Sequence, residues 1–418
     1  MLIYFKVGNY KSIKDPVVLN FNPAAISEHA DSNVIIEDKS LPILKSILLY
    51  GPNASGKSKI LDAFIFLKWL INNSATEKQG NEQIDVESFE LSAATENMPC
   101  FFEVSFLLDE HKYRYGFEVD KEKIHKEWLL ESKVTKEYPV FLRIGEQFEI
   151  DNKRFNNAEG LEKRTRKNAL FLSVASQWNV KKAEQINEWF SRIFTIHGMS
   201  DELYKNVTLD LLKDKAHADE VKGFIQKADL GIQDIELTNV PLYRVSRDLP
   251  RELRNTVISD EWPAVFTFHQ KFNEKGEVTG IARFLLDDQE SEGTKKYFNL
   301  IGVFIKAIAE DRVVVIDEFD ARLHTLLTKS ILKLFNSSKT KSKAQLLAAS
   351  HDTALLDRDL LRRDQIYFVE KNMYGASEVT SLVEYKPRKE SPYDKNYLEG
   401  KYGAIPFIDG LDSLIVHG

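Results

Sequence analysis

The stretch Gly51-Pro-Asn-Ala-Ser-Gly56-Lys57-Ser58 satisfies the pattern G-x-x-x-x-G-K-[ST] at every fixed position, and nothing else in the chain constrains its fold as much. The largely apolar run Ile43 to Tyr50 before it reads as a buried strand, and Ile60, Phe64, Leu67 and Ile71 after it are spaced as one face of a helix. Strand, glycine-rich turn, helix is the context such a loop requires. In that geometry the backbone N–H groups around Asn53, Ser55 and Gly56, with the helix N-terminus, point at an anion and predict a cradle for the β- and γ-phosphates of a nucleotide. Lys57 would add a positive charge on those oxygens, and the Ser58 hydroxyl would ligate Mg²⁺.

At 418 residues the chain is long for a single core, and 43% hydrophobic with 29% charged residues is an ordinary folded composition. A net charge of -7 argues against a surface built mainly to neutralise a phosphate backbone, so nucleic acid is not the default partner. Cys100 is the only cysteine. An internal disulfide and a cysteine-based zinc cluster are excluded, and a reducing compartment is expected. No apolar run is long enough to cross a bilayer, and the chain opens on strand-like residues, so a cytoplasmic protein without a membrane partner is the expectation.

Along the chain, Leu2 to Val7 and Val17 to Phe21 read as short strands, and Phe101 to Leu108 with Tyr113 to Val119 as a hairpin about the turn Asp109 to Lys112. Val140 to Arg143 and Phe148 to Ile150 add further strand signals. From about 160 to 230 the period turns helical, with Ala183, Ile186, Trp189, Phe190 and Ile193 on one face. Short β-like runs return between Ile232 and Leu286. A helix from Tyr297, the strand Arg312 to Ile316, a helix from Leu323, and strands Gln345 to Ser350 and Gln365 to Glu370 follow. Alternation of this kind implies a parallel sheet. The expected organisation is an α/β fold in which a P-loop core is split by an insertion. Residues 1–160 form an N-terminal ATPase lobe with a β subdomain, 161–275 a mainly helical insertion, and 276–418 a C-terminal ATPase lobe.

Val313-Val-Val-Ile316 is a β-branched run followed by Asp317 and Glu318, the form of a buried parallel strand that delivers carboxylates at its C-terminal end. Asp317 would help hold Mg²⁺, and Glu318 would polarise the attacking water as a general base. The strand Gln345 to Ser350 ends in His351, an imidazole placed to face the γ-phosphate. Ser291 and Gly293 precede the helix that leads into the acidic strand. They read equally as an N-cap and as an anion-binding helix start.

In this order the motifs resemble the ABC-type ATPases of the SMC and RecF class. Val7-Gly-Asn-Tyr-Lys-Ser12 is similar to their opening strand-turn, and Ala54 stands where many members carry glycine. Ser291-Glu-Gly293-Thr294 resembles a shortened signature motif, Asp317-Glu318 the Walker B acids, Ala321 to His324 the D-loop, and His351 the switch histidine. The resemblance is closer still to the AAA-15/AAA-21 ATPases of bacterial defence islands, of the RloA, AbiLi and AriA types, and includes Ala169 to Ala175, Ser350 to Thr353, Leu360 to Ile366 and Gly400 to Pro406. Two departures stand out: no long heptad segment separates the ATPase halves, and the tail after His351 is too short for the nuclease of the OLD-type relatives.

The resemblance implies an ABC-type P-loop NTPase that sandwiches ATP between two copies, or within a larger homo-oligomer, with Ser291 and Gly293 of one copy contacting the γ-phosphate held by Lys57 and Ser58 of the other. It further implies a sensor, regulator or scaffold of a separate nuclease or toxin in anti-phage defence, triggered by a phage component. The alternative is a DNA-repair or chromosome-associated clamp, with Lys163 to Lys167, Lys181 and Lys182 as candidate phosphate contacts.

Overall fold

In the computed structural model of the chain, the described residues are 1–36, 41–76, 82–133, 136–197, 200–241, 261–388 and 390–406. The chain divides into two compact units. One comprises Met1–Gly198, Ala307–Asp320 and Lys329–Gly418, the other Met199–Lys306 and Ala321–Thr328.

The first unit holds two sheets. A six-stranded sheet runs in the order Phe194–Ile196, Val313–Ile316, Gln345–Ala349, Ser46–Tyr50, Ile366–Lys371, Ser377–Ser381. Its first five strands are parallel, and the last is an antiparallel edge. The three central segments are buried at every residue, as expected of strands covered on both faces. Because they are parallel, the residues that follow Tyr50, Ile316 and Ala349 emerge at the same edge of the sheet.

The second sheet is antiparallel and seven-stranded, with the order Gln147–Ile150, Tyr138–Ile144, Ile124–Ser132, His111–Val119, Cys100–Leu108, Leu2–Gly8, Val17–Asn20. The expected hairpin is present, and its turn is made by Asp109 and Glu110 at φ 48 and 63, the left-handed pair that a two-residue hairpin loop requires. Helix Lys57–Asn73 buries Ile60, Phe64, Leu67 and Ile71, the face read from the sequence, in a core shared with residues of both sheets. Phe64 meets Phe5 edge to face at 5.1 Å. Burial of each such side chain is worth about 1.5–3 kcal/mol. Gln345 fastens the sheets together: its Oε1 accepts from Leu2 N at 2.6 Å, and its Nε2 donates to the carbonyls of Leu2 at 2.9 Å and Leu44 at 3.1 Å.

The second unit contains helices Lys205–Lys213 and Lys215–Lys227 and a three-stranded antiparallel sheet of Ile232–Pro241, Glu261–Phe272 and Val278–Leu285. Where the sequence suggests short β-like runs, these strands are 8 to 12 residues long. Helix Glu292–Ala309 belongs here as far as Lys306, anchored by Asn299 Nδ2 donating to Asp201 Oδ2 at 2.8 Å and Thr208 Oγ1 donating to the Phe298 carbonyl at 2.8 Å.

Candidate functional site

The loop after Ser46–Tyr50 turns with Ala54 at φ 63 and Gly56 at φ 111 before the helix begins at Lys57. Ala54 therefore occupies a left-handed conformation that a side chain disfavours by roughly 1–2 kcal/mol, which accounts for glycine as the easier residue there. Asn53 and Ala54 are exposed, Gly56 and Ser58 partly buried, and Ser55 and Lys57 buried. The Lys57 ammonium donates to the carbonyls of Gly51 at 2.7 Å and Pro52 at 3.1 Å. Burial pushes its pKa down to about 8, against the opposing charges of Asp317, Asp320 and Glu318. A buried cation whose charge is only partly balanced is suited to receive an anion. The Ser55 hydroxyl is buried with no hydrogen-bond partner among the described residues, so a polar group of the loop is left for a ligand.

The acids arrive on the neighbouring strands. Val313–Ile316 pairs in register with Gln345–Ala349, Ile316 opposite Ala348, and that strand pairs with Ser46–Tyr50, Ala349 opposite Leu49. Asp317 is 6% exposed, its N–H donates to the Ile196 carbonyl at 3.1 Å, and its Oδ1 accepts from Glu318 N at 3.0 Å. Glu318 sits at φ 46, a left-handed turn that swings the chain off the strand end. Phe319 N then donates to the Ala349 carbonyl at 2.9 Å, and Asp320 Oδ1 accepts from His351 N at 3.1 Å. The exposed His351 ring has its pKa lowered by the surrounding protein and by the Lys57 charge, against Asp320, Glu318 and Asp317. These mutual influences place Lys57, Asp317, Glu318, Asp320 and His351 around one locus at the C-terminal edge of the sheet.

Ser291 and Gly293 belong to the other unit. Ser291 Oγ accepts from Thr294 N at 3.2 Å and lies 2.9 Å from Thr294 Oγ1, so it caps helix Glu292–Ala309. A Cβ on Gly293 would meet the Arg322 carbonyl oxygen at 2.6 Å, and Arg322 in turn pairs with Glu292 at 3.3 Å. The signature-like turn is thus packed directly on the Ala321 to His324 segment.

Two contributors were not legible in the sequence. Asp320 follows the acid pair, but only the folded strand tips reveal its bond to His351. Ser377, in the edge strand, reaches the loop through the Ser55 carbonyl at 2.7 Å and also meets Ser12 Oγ of the N-terminal turn at 2.8 Å. A small polar residue far along the chain leaves no local pattern to find.

The set fits ATP with Mg²⁺. The loop and Lys57 suit phosphate oxygens, while the Ser58 hydroxyl and the Asp317 carboxylate are hard oxygen donors of the kind Mg²⁺ takes alongside phosphates and water. No helix among the described residues is long and apolar enough to cross a membrane.

Residues 46–357 match the sequence model of the AAA_21 family, described as "AAA domain, putative AbiEii toxin, Type IV TA system". No curated protein matches the chain. Among solved structures the chain is similar to the SMC head domain from Thermotoga maritima, at 14% identity over 91% of this chain and 98% of that one, TM-score 0.42. It is also similar to the Smc head domain with a coiled coil and joint from Pyrococcus yayanosii, at 11% identity over 96% of this chain and 99% of that one, TM-score 0.42. A structure of the SmcHead bound to the C-winged helix domain of ScpA matches at 14% identity over 91% of this chain and 97% of that one, TM-score 0.44.

Proposed function

We propose that this chain, which belongs to the AAA_21 family of AAA domains, binds ATP at Asn53 to Ser58, hydrolyses it, and uses the bound nucleotide to hold two copies together. The observation that carries this reading is the convergence of the phosphate loop, the Asp317-Glu318 strand end and the His351 strand end at one edge of one parallel sheet. Loop N–H groups and Lys57 hold the triphosphate. Glu318 takes the proton of the attacking water, and the His351 ring faces the charge that develops on the γ-phosphate. Mg²⁺, held by Ser58 and Asp317, neutralises phosphate charge when bound. Ser291 and Gly293 of a second copy complete the site, so that hydrolysis opens the pair.

In the cell we assign the chain the role of a cytoplasmic sensor or scaffold that governs a separate nuclease or toxin in anti-phage defence. The toxin system in the family's description supports that direction. A DNA clamp is the second reading, but the exposed Lys163 and Lys167 share a 310 Å³ cavity with Arg143, Glu146 and Glu162, a surface of mixed charge rather than a wholly basic groove.

Steady-state ATP turnover of the wild type and Glu318→Gln tests the enzymatic core. Turnover in the first and its near loss in the second, with nucleotide binding kept, is expected; equal turnover in both removes Glu318 from its role. Plaque counts on cells carrying the gene with its neighbours test the defence role, which requires that Glu318→Gln lose protection. Tight, steeply salt-dependent DNA binding stimulated by ATP would instead favour the clamp.

A further inference from the structure

Ser377 opens the edge strand Ser377–Ser381 and is 3% exposed. Its Oγ lies 2.7 Å from the Ser55 carbonyl oxygen and 2.8 Å from Ser12 Oγ, while its backbone N–H donates to the Ser12 carbonyl at 2.7 Å. A hydroxyl has one proton, and a carbonyl can only accept. The Ser377 proton therefore goes to Ser55, and the Ser12 hydroxyl is left to donate to Ser377. The result is a directed chain from Ser12 O–H through Ser377 O–H to the Ser55 carbonyl, in which each bond polarises the next.

The consequence lies in the peptide that follows. In a planar trans peptide the carbonyl of one residue and the N–H of the next point in opposite directions. Tethering the Ser55 carbonyl to the edge strand turns the Gly56 N–H away from that strand. The hydroxyl comes this close only because residue 56 lacks a side chain: a Cβ there would lie 2.0 Å from Ser377 Oγ and 2.9 Å from Ser12 Oγ.

We propose that Ser377 is a positioning residue for nucleotide binding, presenting the Gly56 N–H to the phosphates, and that Ser12 supports it by donating to its hydroxyl. The proposal rests on the phosphate-loop reading above. It gives the N-terminal turn, where Ser12 sits beside the Tyr10–Ile13 bridge, a task in the nucleotide site. Release of the tether leaves the Ser55–Gly56 peptide free to rotate, so the cost falls on phosphate affinity and not on the chemical step.

The test is calorimetric titration of wild type, Ser377→Ala and Ser12→Ala with ATP·Mg²⁺ and, separately, with inorganic tripolyphosphate, alongside nucleotide-free melting temperatures and kcat. Ser377→Ala should bind both ligands about 3- to 10-fold more weakly, the worth of one lost hydrogen bond, with kcat at saturation changed less than KM. Ser12→Ala, which keeps the bond to Ser55, should lose affinity in the same direction but by less. Affinity of Ser377→Ala within twofold of wild type overturns the proposal, as does a loss confined to ATP that spares tripolyphosphate. Should Ser377→Ala fail to fold, Ser12→Ala decides alone, and unchanged affinity there overturns it. A wild type that binds neither ligand is a different result: it removes the phosphate-loop reading itself.

Discussion

Asp320 Oδ1 accepts the backbone N–H of His351 at 3.1 Å, so the acidic strand and the histidine strand are fastened at their tips as well as along their register. Next to this bond, Phe319 N donates to the Ala349 carbonyl at 2.9 Å. The turn that carries Glu318 and the turn that carries His351 are therefore one rigid piece.

Asp320→Ala removes that fastening, whereas Asp320→Asn keeps an oxygen to accept the His351 N–H. The alanine variant is expected to lose about tenfold or more in kcat while binding ATP normally, since small misplacements of catalytic groups are costly. The asparagine variant should retain most of the rate. Steady-state kinetics on the pair measures both.

Lys57 carries a cost that its ligand removes. Burial lowers its pKa from 10.5 to about 8, so between those values the folded chain binds fewer protons than the unfolded one, and stability rises with pH across that window. Below pH 8 the amine is charged in both states, and the destabilisation from burying its charge applies in full. Lys57→Met should therefore melt higher than wild type at pH 7 without nucleotide, yet show no further rise when ATP is added. Thermal denaturation with and without ATP reads both effects.

His351 should titrate below its ordinary range, and in a way its neighbours control. Desolvation by the protein on the ring's covered side and the Lys57 charge lower its pKa, while Asp320, Glu318 and Asp317 raise it. The ring is then neutral at pH 7 and becomes charged only as the pH falls through the lowered value. Imidazole titration by NMR should show His351 moving up in Lys57→Met and down in Asp320→Asn.

Gly293 admits no side chain without a shift of the Arg322 backbone, because a Cβ would lie 2.6 Å from that carbonyl oxygen. Gly293→Ala should leave ATP binding to the single chain intact and lower turnover at least several-fold. The measurement is the ratio of kcat to nucleotide affinity, compared with wild type.

The elements that carry the site were the readable ones. Ser46–Tyr50, Val313–Ile316 and Gln345–Ala349 are unbroken apolar runs ending in residues with distinctive chemistry, so burial and function wrote the same pattern. Ile124–Ser132 carries no clear strand signal, because its sequence, IHKEWLLES, does not alternate cleanly and buries a carboxylate. Glu127 is 1% exposed and is satisfied by the N–H groups of Phe171 at 2.6 Å and Leu172 at 3.0 Å, by Tyr115 at 2.9 Å and by Arg143 at 3.6 Å, partners that only the fold assembles. Ser377–Ser381 is too short and polar to announce itself, and the value of Ser377 lies in a contact 322 residues away. Local periodicity finds strands, whereas a hydrogen bond across the chain has no period.

The most direct test of the central claim is the solution mass of Glu318→Gln, by light scattering, with and without saturating ATP·Mg²⁺. A monomer without nucleotide and at least a doubled mass with it are expected, the increase being abolished by a further Gly293→Ala substitution. A protein that binds ATP and keeps the monomer mass would contradict the claim.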